Sequence, residues 1–295
     1  MNKKQRYQGF RKFSIKTRLV IALLLISIIP LAGISGYSFH IFSVALREKL
    51  SASISQTLSM INLNMVSEIE KYQYLCGSIC ISEEIKDGLL NKDMSDIEKN
   101  QAINEIQSMI RTKIIYPAQA KNITVYDTDG NIFYDLGYDG FYQDDVDMLL
   151  DRLRQENQDV WAYVHTYRDR DILVLGRRIY EQYSESRVIG YTLISIDEKI
   201  FSKTVLEPVG LADSSNIMYM NMDGSVLSSW DRNIALGKKV DSEFLKNIQQ
   251  KLPSRTDSFS IHKDGEEQLV TYIFNKNLNQ LFVYTMPYHY INSEV

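Results

Sequence analysis

The spacing of apolar and polar positions changes character along the chain. From Leu19 to Phe39 no charged residue occurs. A helix of about 20 such residues spans a bilayer. Pro30 and Gly33 are tolerable there, and Tyr37 and Phe39 fall where an outer interface would lie. A buried core helix and a cleaved signal peptide are the alternatives. The run is apolar on every face, longer than a signal peptide's core, and no Ala-x-Ala follows. It therefore reads as an uncleaved transmembrane helix over 19–40. The period is then helical from Phe42 to Tyr74, with apolar positions at Leu46, Leu50, Ile54, Leu58, Ile61, Met65, Ile69 and Tyr72. At about 1.5 Å per residue this helix would be nearly 50 Å long, a stalk. Its stripe would pack on its own domain, on a partner helix, or on both. Shorter helical patterns follow at Ser82–Leu90 and Ile97–Ile114.

Beyond these the period falls to two. Asn122–Tyr134 reads as strand, Asp-Gly turn, strand, because Asp and Gly supply the backbone angles of a tight hairpin. Gln143–Gln155 is helical, with Asp144 or Asp145 suited to its start. Val160–Tyr167, Ile172–Tyr180 and Val188–Ile196 read as strands, Asp197–Leu206 as a linking helix, and Pro208-Val-Gly210 as a break. The order then recurs. Asn216–Val226 matches the first hairpin at an offset of 94 residues, pairing Asn122 with Asn216, Ile123 with Ile217, Asp129 with Asp223 and Gly130 with Gly224. A helix (Ser242–Lys251) and strands at Ser258–His262, Gln268–Phe274 and Leu281–Met286 complete the second copy. That period is too long for a solenoid and means two copies of one module. The fold class is α+β: a membrane helix, a stalk helix and two tandem antiparallel-sheet modules, divided as 1–18, 19–40, 41–206 and 207–295.

Charge adds orientation. Residues 1–46 hold seven basic residues (Lys3, Lys4, Arg6, Arg11, Lys12, Lys16 and Arg18) and no acid, leaving 26 basic against 37 acidic residues beyond them. By the positive-inside rule the N-terminus is cytoplasmic and residues after about 41 are extracytoplasmic. An acidic body argues against nucleic-acid binding.

The chemistry of catalysis is missing. His40, His165, His262 and His289 fall into no metal-binding spacing, and there is no nucleophile elbow or phosphate-binding glycine loop. Asp144-Asp145-Val-Asp147 and Asp169-Arg-Asp171 lack the EF-hand pattern and read as a helix start and a solvated hairpin. No catalytic residue, metal or cofactor is expected. Cys76 and Cys80, the only cysteines, share a helix face at i, i+4. Regular helix geometry suits a disulfide poorly there, so they read as buried small apolar residues, with a redox pair as the sharper alternative.

Taken together, the basic head, membrane helix, stalk and paired sheet modules resemble the double Cache sensors, whose modules are PAS-like. Phe13-Ser-Ile-Lys-Thr-Arg-Leu with Ile29-Pro30, then Arg178-Ile and Ile189-Gly-Tyr-Thr-Leu-Ile-Ser-Ile-Asp197, are similar to stretches of YesM-type sensor histidine kinases. So is Leu281–Glu294, which resembles the segment before that family's second membrane helix. The resemblance implies a homodimer and an AraC-type response regulator, reached through a kinase part that would follow Val295. It also implies a small-molecule ligand, or an extracellular binding protein, at the membrane-distal first module. Candidates there are Tyr126, Trp161, Tyr163, Arg178 and Tyr191. Arg178 interrupts an apolar strand, where an unpaired charge is costly. It would bind an anionic ligand or pair with a carboxylate. The competing readings are the sensor part of a chemoreceptor or nucleotide cyclase, an anchored binding module without output domain, and an extracellular hydrolase.

Overall fold

The computed structural model describes residues 14–91, 94–113, 120–137, 140–168, 170–181, 184–206, 215–252, 256–263 and 265–287. The basic positions before residue 14, the Pro208–Gly210 break and the stretch from 288 onward lie outside these. Two units are distinguished, one holding residues up to Ser53 and the other Ile54–Tyr290.

A single helix, α1, runs Ile15–Ile81 with Pro30 inside it. Proline leaves the helix continuous because it removes one backbone donor without preventing the flanking turns from forming. In the first unit, Ile15–Ala45 is long and apolar enough to cross a membrane, and its most apolar window is not buried inside the protein. In the second, the predicted stripe faces inward. Leu58, Ile69 and Tyr72 are fully buried, with Ile54, Ile61 and Met65 close to it. The stripe also continues past Tyr74 through Leu75, Cys76, Ile79 and Cys80. Leu46 and Leu50 have no described side chains. Next come α2 (Glu83–Leu90) and α3 (Asp96–Lys113). Ser82 caps α2 by accepting from the Ile85 amide at 3.3 Å.

The first sheet comprises β1 (Ala120–Asp127), β2 (Ile132–Leu136), β3 (Val160–His165), β4 (Asp171–Glu181) and β5 (Ser184–Asp197), with α4 (Gln143–Gln155) between β2 and β3. The linking helix α5 (Glu198–Val205) leads to the second sheet: β6 (Asn216–Asn221), β7 (Val226–Ser229), α6 (Ser242–Lys251), β8 (Thr256–Lys263), β9 (Glu266–Asn275) and β10 (Gln280–Pro287). The strand orders are β2-β1-β5-β4-β3 and β7-β6-β10-β9-β8, so the second repeats the first element for element. All pairs are antiparallel. Both hairpin turns place glycine at positive φ, Gly130 at 89° and Gly224 at 86°, as their Asp-Gly signal predicts.

The helix starts differ in how they are held. α4 begins at Tyr142 with no side-chain cap, and Asp144 and Asp145 lie inside its first turn. There they act on the helix dipole rather than on orphan amides. Asp197 and Asp241, by contrast, cap α5 and α6 with hydrogen bonds of 2.9–3.1 Å.

In the first module, α4 lays Val146, Leu149, Leu150 and Leu153 on Val160, Ala162, Val164, Val174 and Leu193. Gly176 permits this closeness, since a Cβ there would stand 3.0 Å from Leu153. In the second module, Ile248 of α6 packs on Met218, Met220, Val270, Tyr272 and Val283.

Candidate functional site

Strand alternation divides the five candidate residues between two faces of the first sheet. Tyr126, Tyr191 and Arg178 are cross-strand partners on β1, β5 and β4 and share the face beneath α4. Trp161 and Tyr163 pair with Leu175 and Leu173 and point the other way. The candidates therefore do not form one cluster.

On the α4 face, Tyr126 and Tyr191 are buried within the core. Burial, and then the nearby Asp135 carboxylate, push the Tyr126 phenol up to about 12. The Arg154 guanidinium lies 5.9 Å from the Tyr191 ring centroid. Arg178 spends its guanidinium on the end of α4. Its Nε donates to the Leu153 carbonyl, and NH1 donates to Asn157 Oδ1 at 2.9 Å. Neither partner among the described residues is a carboxylate, so the charge that looked costly is answered by a helix-terminal carbonyl that needs a donor and by an amide side chain. At the other end of this face, Asn122 donates to Thr124 Oγ1 and Asp135 Oδ1 at 3.0 and 2.9 Å. Gly137 closes over it, and a Cβ there would lie 1.4 Å from Asn122 Oδ1.

On the opposite face sits a residue that sequence reasoning passed over. Arg177, next to the chosen Arg178, holds Asp159 with two 2.6 Å bonds and donates to the Gln73 carbonyl of α1 at 3.3 Å. Gln73 Nε2 also reaches Asp159 at 3.0 Å. Asp159 holds the guanidinium charged despite partial burial. Consecutive strand residues point oppositely, so two adjacent arginines were bound to serve different faces. The sequence carries no sign of which face meets which helix.

The modules meet along Trp161 and Tyr163. The Trp161 carbonyl accepts from Asn221 Nδ2 at 3.2 Å, while its buried Nε1 has no partner among the described residues. Tyr163 donates to Asp171 Oδ1 at 2.6 Å, with His165 Nε2 2.8 Å from the same hydroxyl. Tyr163 also borders a cavity of about 320 Å³ between the modules. Nearby, Glu198 is fully buried. It accepts from Arg232 NH1 and Ser228 Oγ, both at 2.6 Å, tying α5 to the second module. Among the described residues no three His, Cys, Asp or Glu side chains could hold a metal ion. Cys76 and Cys80 are free and buried. Burial, reinforced by Cys80, raises the Cys76 thiol well above its usual value.

No protein-family model and no curated protein matches the chain. Solved structures do. The extracellular domain of rpHK1S-Z16, described as a histidine kinase, aligns over 83% of this chain and 98% of its own, with TM-score 0.58 and 14% identity. The sensor domain of the V. cholerae histidine kinase DctB aligns over 83% and 97%, at 0.52 and 12%. The ligand-binding domain of the Pseudomonas aeruginosa amino acid chemoreceptor PctB, in complex with L-Arg, aligns over 82% and 97%, at 0.54 and 9%. With a long helix and two repeated five-stranded antiparallel sheets, the body of this chain has the tandem PAS-like, Cache-type fold of these extracellular sensor domains.

Proposed function

We propose that this chain is the sensory input part of a membrane signal-transduction protein, anchored by the apolar half of α1 with its N-terminus in the cytoplasm and its body outside. The observation that carries the reading is the end-to-end fold likeness to extracellular sensor domains, joined to a helix long enough to cross a bilayer. The output is a sensor histidine kinase of the YesM type, working as a homodimer through an AraC-type response regulator. A chemoreceptor output is the second reading, favoured by the PctB likeness. A small molecule, of which amino acids are the first class to try, binds the first module at the α4 face. Tyr126, Tyr191 and Arg178 line that site, and Trp161 and Tyr163 relay its occupancy to the second module. Ligand must favour one packing of the sheets and α1 over another, since only differential affinity shifts an equilibrium.

The test is thermal unfolding of the full chain in lipid nanodiscs against the L-amino acids. A ligand at about a hundred times its Kd raises stability by about 2.7 kcal/mol. The expected result is a rise in Tm with one compound, lost in Tyr191→Ala. No rise with any compound, or an equal rise in the variant, overturns this site.

A further inference from the structure

The second module holds a cavity of about 660 Å³, within the range of small-molecule sites. It opens on the α6 face of its sheet, beyond the helix, and the 234–241 segment walls it in. One side is apolar, with Met218, Val226, Val240 and Phe244. The other is polar. Asn216 and Thr285 are direct partners on β6 and β10, and Gln268 lies one step along on β9, on the same face.

Asn216 is the telling residue. It is 7% exposed. Its Oδ1 is occupied, accepting from Ser229 Oγ at 3.2 Å and the Asp231 amide at 3.0 Å. Its Nδ2 finds no acceptor among the described residues, and Asn216 lines the cavity, so that donor is available to a bound group. The charges at the rim are unequally engaged. Lys239 pairs with Asp223 at 3.0 Å, and Asp241 is committed to the cap of α6. Lys238 has no carboxylate partner among the described residues, and Glu243 stands exposed in the first turn of α6.

We propose that this cavity is a second ligand site, taking a small organic carboxylate with an apolar tail. The carboxylate accepts from Asn216 Nδ2 and faces Lys238, and the tail lies on Met218, Val226 and Phe244. The site is separate from the one placed in the first module and stands or falls without it.

Hexanoate is the probe, with hexanamide and hexylammonium as neutral and cationic counterparts. Binding is followed by saturation-transfer NMR on the full chain in nanodiscs, with empty nanodiscs subtracted. Hexanoate is expected to saturate, hexanamide to bind several-fold more weakly, and hexylammonium not to bind. Exposed Ala235 at the wall permits Ala235→Trp, which fills the cavity without removing a buried group. It should abolish binding while leaving the unfolding temperature unchanged. Should that variant not fold, Lys238→Gln on the surface is decisive, weakening hexanoate several-fold and sparing hexanamide. Absence of saturable hexanoate binding, equal binding of the three compounds, or wild-type binding in a folded variant overturns the proposal.

Discussion

The two modules are built to one plan, yet equivalent positions 94 residues apart do different work. Asp127 organises its own hairpin, its Oδ1 accepting from the Asp129 and Asn131 amides at 2.9 and 2.8 Å. Its counterpart Asn221 reaches across to the first module instead. Asn122 is sealed beneath Gly137 and bonded to Thr124 and Asp135, whereas Asn216 opens onto a cavity. At the position equivalent to Gly137 stands Asp231, whose amide holds Asn216 in place. A repeated strand start is thus closed in one copy and open in the other. What separates a structural amide from a binding amide here is whether the next loop covers it.

The charged ties of the two modules sharpen the contrast most strongly. Glu198 is fully buried, so Arg232→Ala strands a carboxylate and should cost about 3 kcal/mol. Urea unfolding would show it, and pairing the change with Glu198→Gln should recover part of the loss. Arg177→Ala should cost less, about 2 kcal/mol, because both members of that pair keep some contact with water. Equal losses would mean the second module is no more dependent on its tie than the first. Gly137→Ala must force a Cβ against Asn122 at a φ of 154°. About 2 kcal/mol of strain is expected from the thermal midpoint.

Asn122→Ala removes bonds to Thr124 and Asp135 from a closed site and should cost about 2 kcal/mol, whereas the bonds lost in Asn216→Ala can be replaced by water from the cavity, for about 1 kcal/mol. The reverse order would break the closed-and-open reading. The smallest effect lies in the turns. Burial opposes ionisation of Asp127, but hydrogen bonds from Asn131, Asp129 and Gly130 outweigh it and hold the carboxyl below its usual value. Asp223 is lowered likewise, with Ser225 and Lys239 outweighing burial. Each contributes stability that is complete above the unfolded value near 4 and fades as pH falls through the lower folded value. Asp127→Asn should flatten part of that acid loss, read from fluorescence during acid titration.

Much of this fold was legible in the sequence. The uncharged run, the stripe from Ile54 to Tyr72 and the hairpins at Gly130 and Gly224 all follow from local pattern, and the repeat of element order followed from them. Strand ends were less legible. β5 runs from Ser184 rather than Val188, because polar residues extend an antiparallel ladder without any apolar alternation to mark it. The candidate site was the least legible part. Which face Arg177 or Arg178 serves, and whether Asn122 or Asn216 is covered, depends on segments distant in sequence.

Cys76 and Cys80 give the first module a native chemical clock. Both thiols face inward on α1, within the same contact region as Arg177. A thiol shielded in this way reacts only while the helix has lifted from the sheet. The rate at which the unaltered chain consumes an alkylating reagent therefore reports how often that contact opens. A ligand that loosens or tightens it would speed or slow the reaction, with no engineered label required.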